Sequence, residues 1–180
     1  MKGLIRGTVS VEPHNVAWKE EAENCISLLA EILKKDMVDA QHVGSTAICG
    51  ICAKPIIDIA VGVKNLRDVM KYNEELAENG IIYRHKEHGE QLLYICGDMQ
   101  NDIRTHHIHI VIWNSEEWNN YLNFRDYMNC HEEEARAYAQ LKVQLAKQYP
   151  KDRGAYTAGK QEYIDRIIKK ATAWRNNSHR

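Results

Sequence analysis

The sequence predicts a single α+β domain in which helices pack on a mixed β-sheet. Two observations support this: strongly apolar, β-branched strands alternate with amphipathic helices, and the last third of the chain is helical throughout. The chain of 180 residues suits one domain, and 44% hydrophobic residues can build a sizeable core. We therefore expect one folded unit over residues 1–180.

The chain opens with a helix and a strand. Apolar residues recur at steps of three and four between Ala22 and Leu33, which is typical of one face of an amphipathic helix. His14 or Asn15 lies near its start, where a polar side chain can cap the first turn. A short strand is predicted at 38–43, directly before a glycine-serine turn.

A second strand and helix follow. Pro55 opens a strongly β-branched run, residues 56–63, whose nearly continuous apolarity predicts a central strand covered on both faces. Proline is tolerated at the first residue of such a strand. Apolar residues between Leu66 and Ala77 mark a helix, and Gly80 supplies its C-terminal stop.

The middle of the chain is predicted to complete the sheet. Residues 81–85 and 91–96 form a hairpin around the His88-Gly89 turn, and residues 97–102 have the composition of a loop. The stretch 105–113 combines β-branched residues with histidines and predicts another strand.

The remaining residues are predicted to be helical. Ser115 is placed to cap a helix that begins with Glu116 and Glu117, whose charges suit the positive end of a helix. A break at 150–154 separates two further helices. Their apolar faces are marked by Tyr138, Leu141 and Leu145 in the first and by Tyr163, Ile164, Ile167, Ile168 and Ala171 in the second.

The charge balance excludes a general nucleic-acid binder. Lys plus Arg total 24 and Asp plus Glu total 25, so the chain lacks the broad basic face that such binding needs. A local basic pocket for a small phosphate ligand is compatible with this balance. No apolar run is long enough for a membrane span or a secretory signal, which predicts a cytoplasmic protein without membrane attachment.

The cysteines do not suggest a disulfide framework, because the five are odd in number and scattered. Cys49 and Cys52 form a lone CxxC, for which a thioredoxin-like site or half a zinc site are the functional interpretations. No second CxxC partners it, so we expect ordinary reduced thiols in a loop.

Two of the predicted strands carry a functional signal. Because side chains alternate along a strand, His107 and His109 lie on the face opposite their isoleucine neighbours. Asp58 likewise lies on the face opposite its apolar neighbours. An unpaired carboxylate within so apolar a strand would be unfavourable. If the strands are adjacent, the three side chains converge on the open face of the sheet. They would then form a metal site or an acid–base pair, and exposed or mutually hydrogen-bonded histidines are the alternative.

The turn before the Asp58 strand adds a second signal. Gly44 lets a ligand approach the backbone, and Ser45 offers a hydroxyl and an N–H. A nearby aspartate can hold a divalent metal. This combination is typical of phosphate handling, and a tight turn before a core strand is the structural alternative.

Several stretches, in order along the chain, resemble the motifs of the GrpB family. His42-Val43-Gly44-Ser45-Thr46, followed by Ala53-Lys54-Pro55-Ile56-Ile57-Asp58-Ile59, is similar to the family hallmark HVGST(S/A)VPGLxAKPxIDI. His106-His107-Ile108-His109-Ile110 resembles HHLHV, and Phe124-Arg125-Asp126-Tyr127 resembles FRDYL. Segments resembling YxxLK, RxxYxxxK and KxxFI lie in the helical tail. The match runs over about residues 11–173, the expected core of the domain.

The family is placed in the nucleotidyltransferase superfamily, so the resemblance implies a nucleotidyltransferase-like fold. It implies that Gly44-Ser45 is the phosphate-side turn and that Asp58 is the first metal carboxylate. Active superfamily members usually carry Asp-x-Asp or Asp-x-Glu, whereas this chain has Ala60 in the second position. His107 and His109 stand where a third acid often lies. Such a donor set favours Mn²⁺ or Zn²⁺ over Mg²⁺.

The leading functional hypothesis is the binding of a nucleotide or another phosphorylated small molecule, with metal-dependent nucleotidyl transfer as the candidate activity. The expected catalytic and metal-binding residues are Asp58, His107 and His109. The expected substrate-binding residues are His42, Gly44, Ser45, Thr46, Lys54, Lys142, Arg153 and Lys160. The lysines and the arginine would neutralise phosphate charge.

Two alternatives accompany this hypothesis. A catalytically inactive module that binds a nucleotide or a coenzyme A precursor is favoured by Ala60. In some bacteria, GrpB domains are fused to dephospho-coenzyme A kinase, which associates the family with such ligands. His107-Ile108-His109 also resembles part of a histidine-triad motif, but residues 105 and 111 are Thr and Val. A His-dependent phosphohydrolase is therefore disfavoured.

Overall fold

The computed structural model describes residues 2–84 and 91–178 and confirms the α+β class. The strands of this part of the chain are β1 (Leu4–Ile5), β2 (Met37–Val43), β3 (Ile57–Val63), β4 (Ile82–Tyr83), β5 (Leu92–Cys96), β6 (Ile103–Arg104) and β7 (His106–Ile112). Five of them form one sheet in the order β2-β3-β7-β5-β4, and β1 pairs with β6. Strands β3 and β7 are parallel and the other pairs antiparallel, so the predicted mixed sheet is confirmed.

Helices before and after the sheet strands cover the two faces of the sheet. They are α1 (Ala17–Leu33), α2 (Leu66–Val69), α3 (Asn73–Glu78), α4 (Glu116–Cys130), α5 (Glu132–Gln148) and α6 (Arg153–Ser178). Short 3₁₀ turns occupy Lys34–Asp36, Ser45–Ala47 and Met70–Tyr72. None of the described helices is long and apolar enough to cross a lipid bilayer.

The predicted helix caps are present. Asn15 Oδ1 accepts a hydrogen bond from the Ala17 N–H at 2.9 Å, at the start of α1. Ser115 Oγ accepts one from the Trp118 N–H at 3.3 Å, at the start of α4. Each cap satisfies a backbone donor that the helix itself leaves unpaired.

The single helix predicted between Leu66 and Ala77 is wrong, because a 3₁₀ turn divides it into α2 and α3. Tertiary hydrogen bonds are made at this break. The Tyr72 hydroxyl donates to Asp36 Oδ2 at 2.7 Å, and Asn73 Oδ1 accepts from the Tyr94 hydroxyl at 2.7 Å. These contacts override the local helical pattern.

The predicted hairpin is confirmed by the antiparallel pairing of β4 with β5, while its His88-Gly89 turn lies outside the described residues. Residues 97–102 form the predicted loop. The short pair of β1 with β6 was not predicted, since two residues are too few to show an alternating pattern.

The two faces of the sheet differ in what covers them. Ile57, Ile59 and Ile108 pack with α1 in the main core. On the opposite face, Trp118 of α4 packs with Ala60 in a smaller apolar cluster. The expectation of an open face beside the histidines is therefore corrected: α4, α5 and α6 cover this side and leave cavities beneath them.

Candidate functional site

Asp58, His107 and His109 converge as their strand parity predicted. In the parallel pair of β3 with β7, Asp58 is the register partner of His107, and Ala60 is the partner of His109. Asp58 Oδ1 lies 3.3 Å from His107 Nδ1 and 3.5 Å from His109 Nε2. The three side chains are partly buried and offer donor atoms within 4.8 Å of one another.

The two imidazoles keep Asp58 ionised. Burial alone would raise the pKa of Asp58, but the hydrogen bonds and charges of His107 and His109 outweigh it and hold the pKa well below its usual range. His109 Nδ1 is buried and has no hydrogen-bond partner among the described residues. The site is therefore an anionic carboxylate flanked by two nitrogen donors.

Gly44 fits against this carboxylate. Its backbone has φ 70° and ψ −168°, a combination almost confined to glycine. A Cβ atom at this position would lie 2.5 Å from Asp58 Oδ2. The sequence suggests that Gly44 lets a ligand approach the backbone. Gly44 does line a cavity beside Asp58, and it also leaves room for the Asp58 carboxylate itself.

Two cavities meet at the carboxylate. The first, here called the apolar cavity, has a volume of about 390 Å³. Its apolar wall consists of Tyr121, Phe124, Tyr138, Ile164 and Ile168, and its polar lining includes Gln91, His109, Glu117 and Asn120. The second, called the cationic cavity, has about 180 Å³ and contains Lys54, Arg153, His107, Tyr156 and Thr157. Ser45, Asp58 and Lys160 line both.

The cationic cavity brings Lys54, Arg153 and Lys160 together, and Asp58 is close enough for its charge to act on both lysines. Lys54 Nζ and Lys160 Nζ lie 5.1 and 4.7 Å from the centroid of the Tyr156 ring. Across residues 2–84 and 91–178, no carboxylate lies within ion-pair distance of Lys54, Arg153 or Lys160. Burial, followed by the charges of Lys160 and Arg153, lowers the pKa of Lys54 to about 8. Burial also lowers the pKa of Lys160.

Lys142 departs from its expected place. Its side chain is 1% exposed and lines neither cavity. The Nζ atom donates to the Cys52 carbonyl and lies 4.7 Å from the centroid of the Tyr138 ring. The motif spacing placed this lysine on a helix but did not fix which way that helix faces.

His42 and Thr46 face a different pocket, although His42 is close enough to Asp58 for their charges to interact. They line a separate pocket with Arg125 and α1 residues, and His42 Nε2 lies 2.9 Å from the Thr46 hydroxyl. Burial, more than the nearby charge of Arg125, lowers the pKa of His42 to about 4, so its ring is neutral at pH 7. The pair holds the turn after β2 and does not face either cavity.

The chain is similar to known proteins over most of its length. The family model described as GrpB protein matches residues 8–170. The chain belongs to the GrpB family. It is 39% identical to the glutamate-rich protein GrpB of Alkalihalophilus pseudofirmus, covering 93% of this chain and 98% of that protein. It is 34% identical to a UPF0157 protein of Pseudomonas aeruginosa, covering 92% of this chain and 68% of that protein.

Two solved structures place this GrpB-family protein in a wider fold. The crystal structure of the conserved protein GrpB from Enterococcus faecalis has a TM-score of 0.85 and 31% identity, covering 92% of this chain and 99% of that chain. The structure of Cid1 in complex with its short product ApU has a TM-score of 0.52 and 15% identity. It covers 76% of this chain and 43% of that chain, and it shows a nucleotidyltransferase-like fold alone.

The donor atoms of Asp58, His107 and His109 are close enough together to hold one metal ion. Ligand atoms about 2.0–2.2 Å from a tetrahedral ion are separated by roughly 3.3–3.6 Å. The two separations from Asp58 Oδ1, 3.3 and 3.5 Å, agree with this spacing. One carboxylate and two imidazoles differ from the all-oxygen, octahedral shell that Mg²⁺ prefers.

Residues of the apolar cavity were missed as site residues. The sequence pattern places Tyr138 only on an apolar helix face and assigns no site role to Tyr121 or Phe124, although each of the three contacts a neighbouring aromatic ring. Helical periodicity shows which residues share an apolar face. It does not reveal that the facing helices stay apart and leave a cavity. The five cysteines carry free thiols, and none lines the apolar or the cationic cavity.

Proposed function

We propose that this GrpB-family protein binds a nucleotide or another phosphorylated small molecule in the two joined cavities. The proposal rests on the place where the two cavities join, because both are lined there by Ser45, Asp58 and Lys160. A phosphate group placed there would meet the cations Lys54 and Arg153. The organic part of the ligand would lie against the aromatic wall of the apolar cavity.

A divalent metal held by Asp58, His107 and His109 would neutralise phosphate charge and orient the phosphoryl group. The chain's own groups contribute the rest. Ser45 can donate its hydroxyl to a phosphate oxygen, while Lys160 spans the junction with its ammonium. We propose metal-dependent nucleotidyl transfer as the activity of this arrangement. The fold shared with Cid1, which has been solved with ApU, makes nucleotides the first ligands to test.

A catalytically inactive binding module is the second candidate, and Ala60 favours it. This residue is fully buried and packs with Val43, Val111 and Trp118. The position that would supply a second carboxylate is thus part of an apolar cluster. The two candidates predict the same ligands and differ only in turnover.

Ligand-induced thermal stabilisation tests the proposal. Nucleoside triphosphates, coenzyme A precursors and pyrophosphate would each be combined with Mg²⁺, Mn²⁺ or Zn²⁺. Free ligand at about 100 times its Kd raises the free energy of unfolding by about 2.7 kcal/mol. We expect stabilisation by phosphorylated compounds that is larger with Mn²⁺ or Zn²⁺ than with Mg²⁺. Pyrophosphate release separates transfer from binding alone, and no stabilisation by any phosphorylated compound would refute both candidates.

Sulfate binding without metal is expected to weaken as the pH rises above about 7. Burial lowers the pKa of Lys142 to about 7, and burial and like charges lower the pKa of Lys54 to about 8. A bound anion favours the protonated ammonium and raises both pKa values, so binding takes up protons. Affinity is therefore greatest below the lower of these pKa values and falls as the lysines of the free protein lose their protons.

Calorimetry of sulfate binding at about pH 8 measures the proton uptake directly. The binding enthalpies in two buffers of different ionisation enthalpy differ in proportion to the number of protons taken up. Sulfate stays a dianion over the whole range, so the protons belong to the protein. The charged neighbours of Lys54 are Lys160, Arg153 and Asp58, and these contribute to the total. An affinity that does not change with pH, together with zero uptake, would show that the two lysines titrate normally.

A further inference from the structure

Lys142 is buried where a charge is unfavourable. Its side chain is 1% exposed, and its ammonium, which has three donor hydrogens, finds one oxygen acceptor, the Cys52 carbonyl. The remaining contact described is with the face of the Tyr138 ring. An ammonium in such surroundings destabilises the fold relative to an apolar side chain of the same length. Fold stability therefore does not explain why a lysine occupies position 142.

Anchoring the segment before β3 is not that reason, because other contacts already hold this segment. Ile48 and Ile51 are buried in the core between α4, α5 and α6. The Cys52 thiol donates to the Ala139 carbonyl at 3.7 Å, and Ala53 pairs with Glu12 through two backbone hydrogen bonds. Removing the ammonium would leave all of these contacts in place and would free only the Cys52 carbonyl, so the role of Lys142 is local to that carbonyl and to Tyr138.

The two residues that Lys142 contacts each lie next to a residue of the candidate phosphate site. Cys52 precedes Lys54 by two residues, and Lys54 lines the cationic cavity. Tyr138 lines the apolar cavity together with Ser45, which lines both cavities. Lys142 is also close enough to Lys54 and Lys160 for their charges to interact. The ammonium of Lys142 thus contacts Cys52, two residues before Lys54, and Tyr138, which lines a cavity with Ser45. It also adds positive charge close to the cationic cavity.

We infer that Lys142 is a positioning residue for the phosphate site, which strengthens anion binding at the expense of fold stability. Its ammonium holds the Cys52 carbonyl and the Tyr138 ring, so that Lys54 and Ser45 face the same anion. The inference rests on the proposed phosphate-binding function and assigns to it a residue that does not touch the ligand.

Lys142→Met tests the inference, with Lys147→Met as the matched control. Lys147 is an exposed lysine on the same helix, one and a half turns away. We expect Lys142→Met to weaken pyrophosphate binding by at least about tenfold, because the variant loses both the positive charge behind the site and the hydrogen bond to the Cys52 carbonyl. Its melting temperature should equal or exceed that of the wild type. It should also take up fewer protons on sulfate binding, whereas Lys147→Met should match the wild type in every measurement.

The outcomes separate this inference from the proposed function. Lys160→Met removes a cation from the cavity wall and should weaken pyrophosphate binding whether or not Lys142 matters. If Lys160→Met weakens binding and Lys142→Met does not, the positioning role is refuted and the proposed function stands. A Lys142→Met protein that melts lower or fails to fold would show a structural role and also refute the inference. A wild-type protein that does not bind pyrophosphate would overturn both.

Discussion

Replacing Asp58 with Asn is expected to remove metal-dependent ligand binding and to leave the fold intact. Asparagine keeps the shape of the side chain and one oxygen acceptor, so the contacts with His107 and His109 can persist. It loses the negative charge that a divalent metal requires from this site. Since loss of a group that merely orients a ligand costs 10–100-fold in metal affinity, loss of the carboxylate should exceed about 100-fold.

Titrations of Mn²⁺, Zn²⁺ and nucleotide into wild type and variants measure this effect. His107→Ala should weaken metal binding in parallel, because it removes a nitrogen donor 3.3 Å from the carboxylate. Asp68→Asn makes the same chemical change at an exposed position of α2 and serves as the control. Denaturation curves should show that all three variants fold, with lower midpoints for Asp58→Asn and His107→Ala because the pairing of the ionised carboxylate with the imidazoles is lost.

A purely structural aspartate would differ from a metal ligand in the binding measurements and not in stability. In that case Asp58→Asn would lower the denaturation midpoint and leave metal and nucleotide affinities unchanged. The pKa of Asp58 lies well below its usual range in the folded protein, so its ionised form contributes stability above the unfolded pKa of about 3.9. This contribution is lost as the pH falls through the lower, folded pKa. Unchanged affinities in Asp58→Asn and His107→Ala would leave two incidental histidines beside a structural acid.

The convergence of the three donor residues could be predicted because it depends on backbone alternation alone. A strand directs successive side chains to opposite faces, so the positions of Asp58, His107 and His109 followed once their strands were recognised. The sequence does not determine that β3 and β7 are neighbours, which follows only from the strand order of the sheet. Their apolar, β-branched runs made them strands of the sheet interior, and adjacency then brought the donors within 4.8 Å.

Residues of the helical tail could not be placed in the same way. Lys142, Arg153 and Lys160 were grouped as cations for one ligand, yet only Arg153 and Lys160 line the cationic cavity. The direction of a helical side chain relative to a distant strand depends on how several helices pack, which sequence periodicity does not fix. The apolar cavity escaped prediction for the same reason.

Gly44→Ala is expected to be strongly destabilising. The backbone at Gly44 has φ 70° and ψ −168°, and a residue with a Cβ atom in that region is strained by about 1–3 kcal/mol. The new methyl group would also lie 2.5 Å from Asp58 Oδ2 and 2.9 Å from Asp58 Cβ. Relief requires Asp58 or the turn to move, and overpacking of this kind adds typically about 1–3 kcal/mol. We expect the free energy of unfolding to fall by about 3 kcal/mol or more.

Gly50→Ala separates the two causes. Gly50 has φ 74°, close to the value at Gly44, but a Cβ atom there would meet no atom within 4 Å. It therefore reports backbone strain alone, for which we expect about 1 kcal/mol. Urea denaturation of both variants gives the additional loss at Gly44, which combines its ψ of −168° with the contact with Asp58. Because Asp58 must shift to admit the methyl group, Gly44→Ala should also weaken metal binding, whereas Gly50→Ala should not. Equal losses of stability in the two variants, with unchanged metal affinity, would mean that Gly44 serves the turn and has no part in positioning the carboxylate.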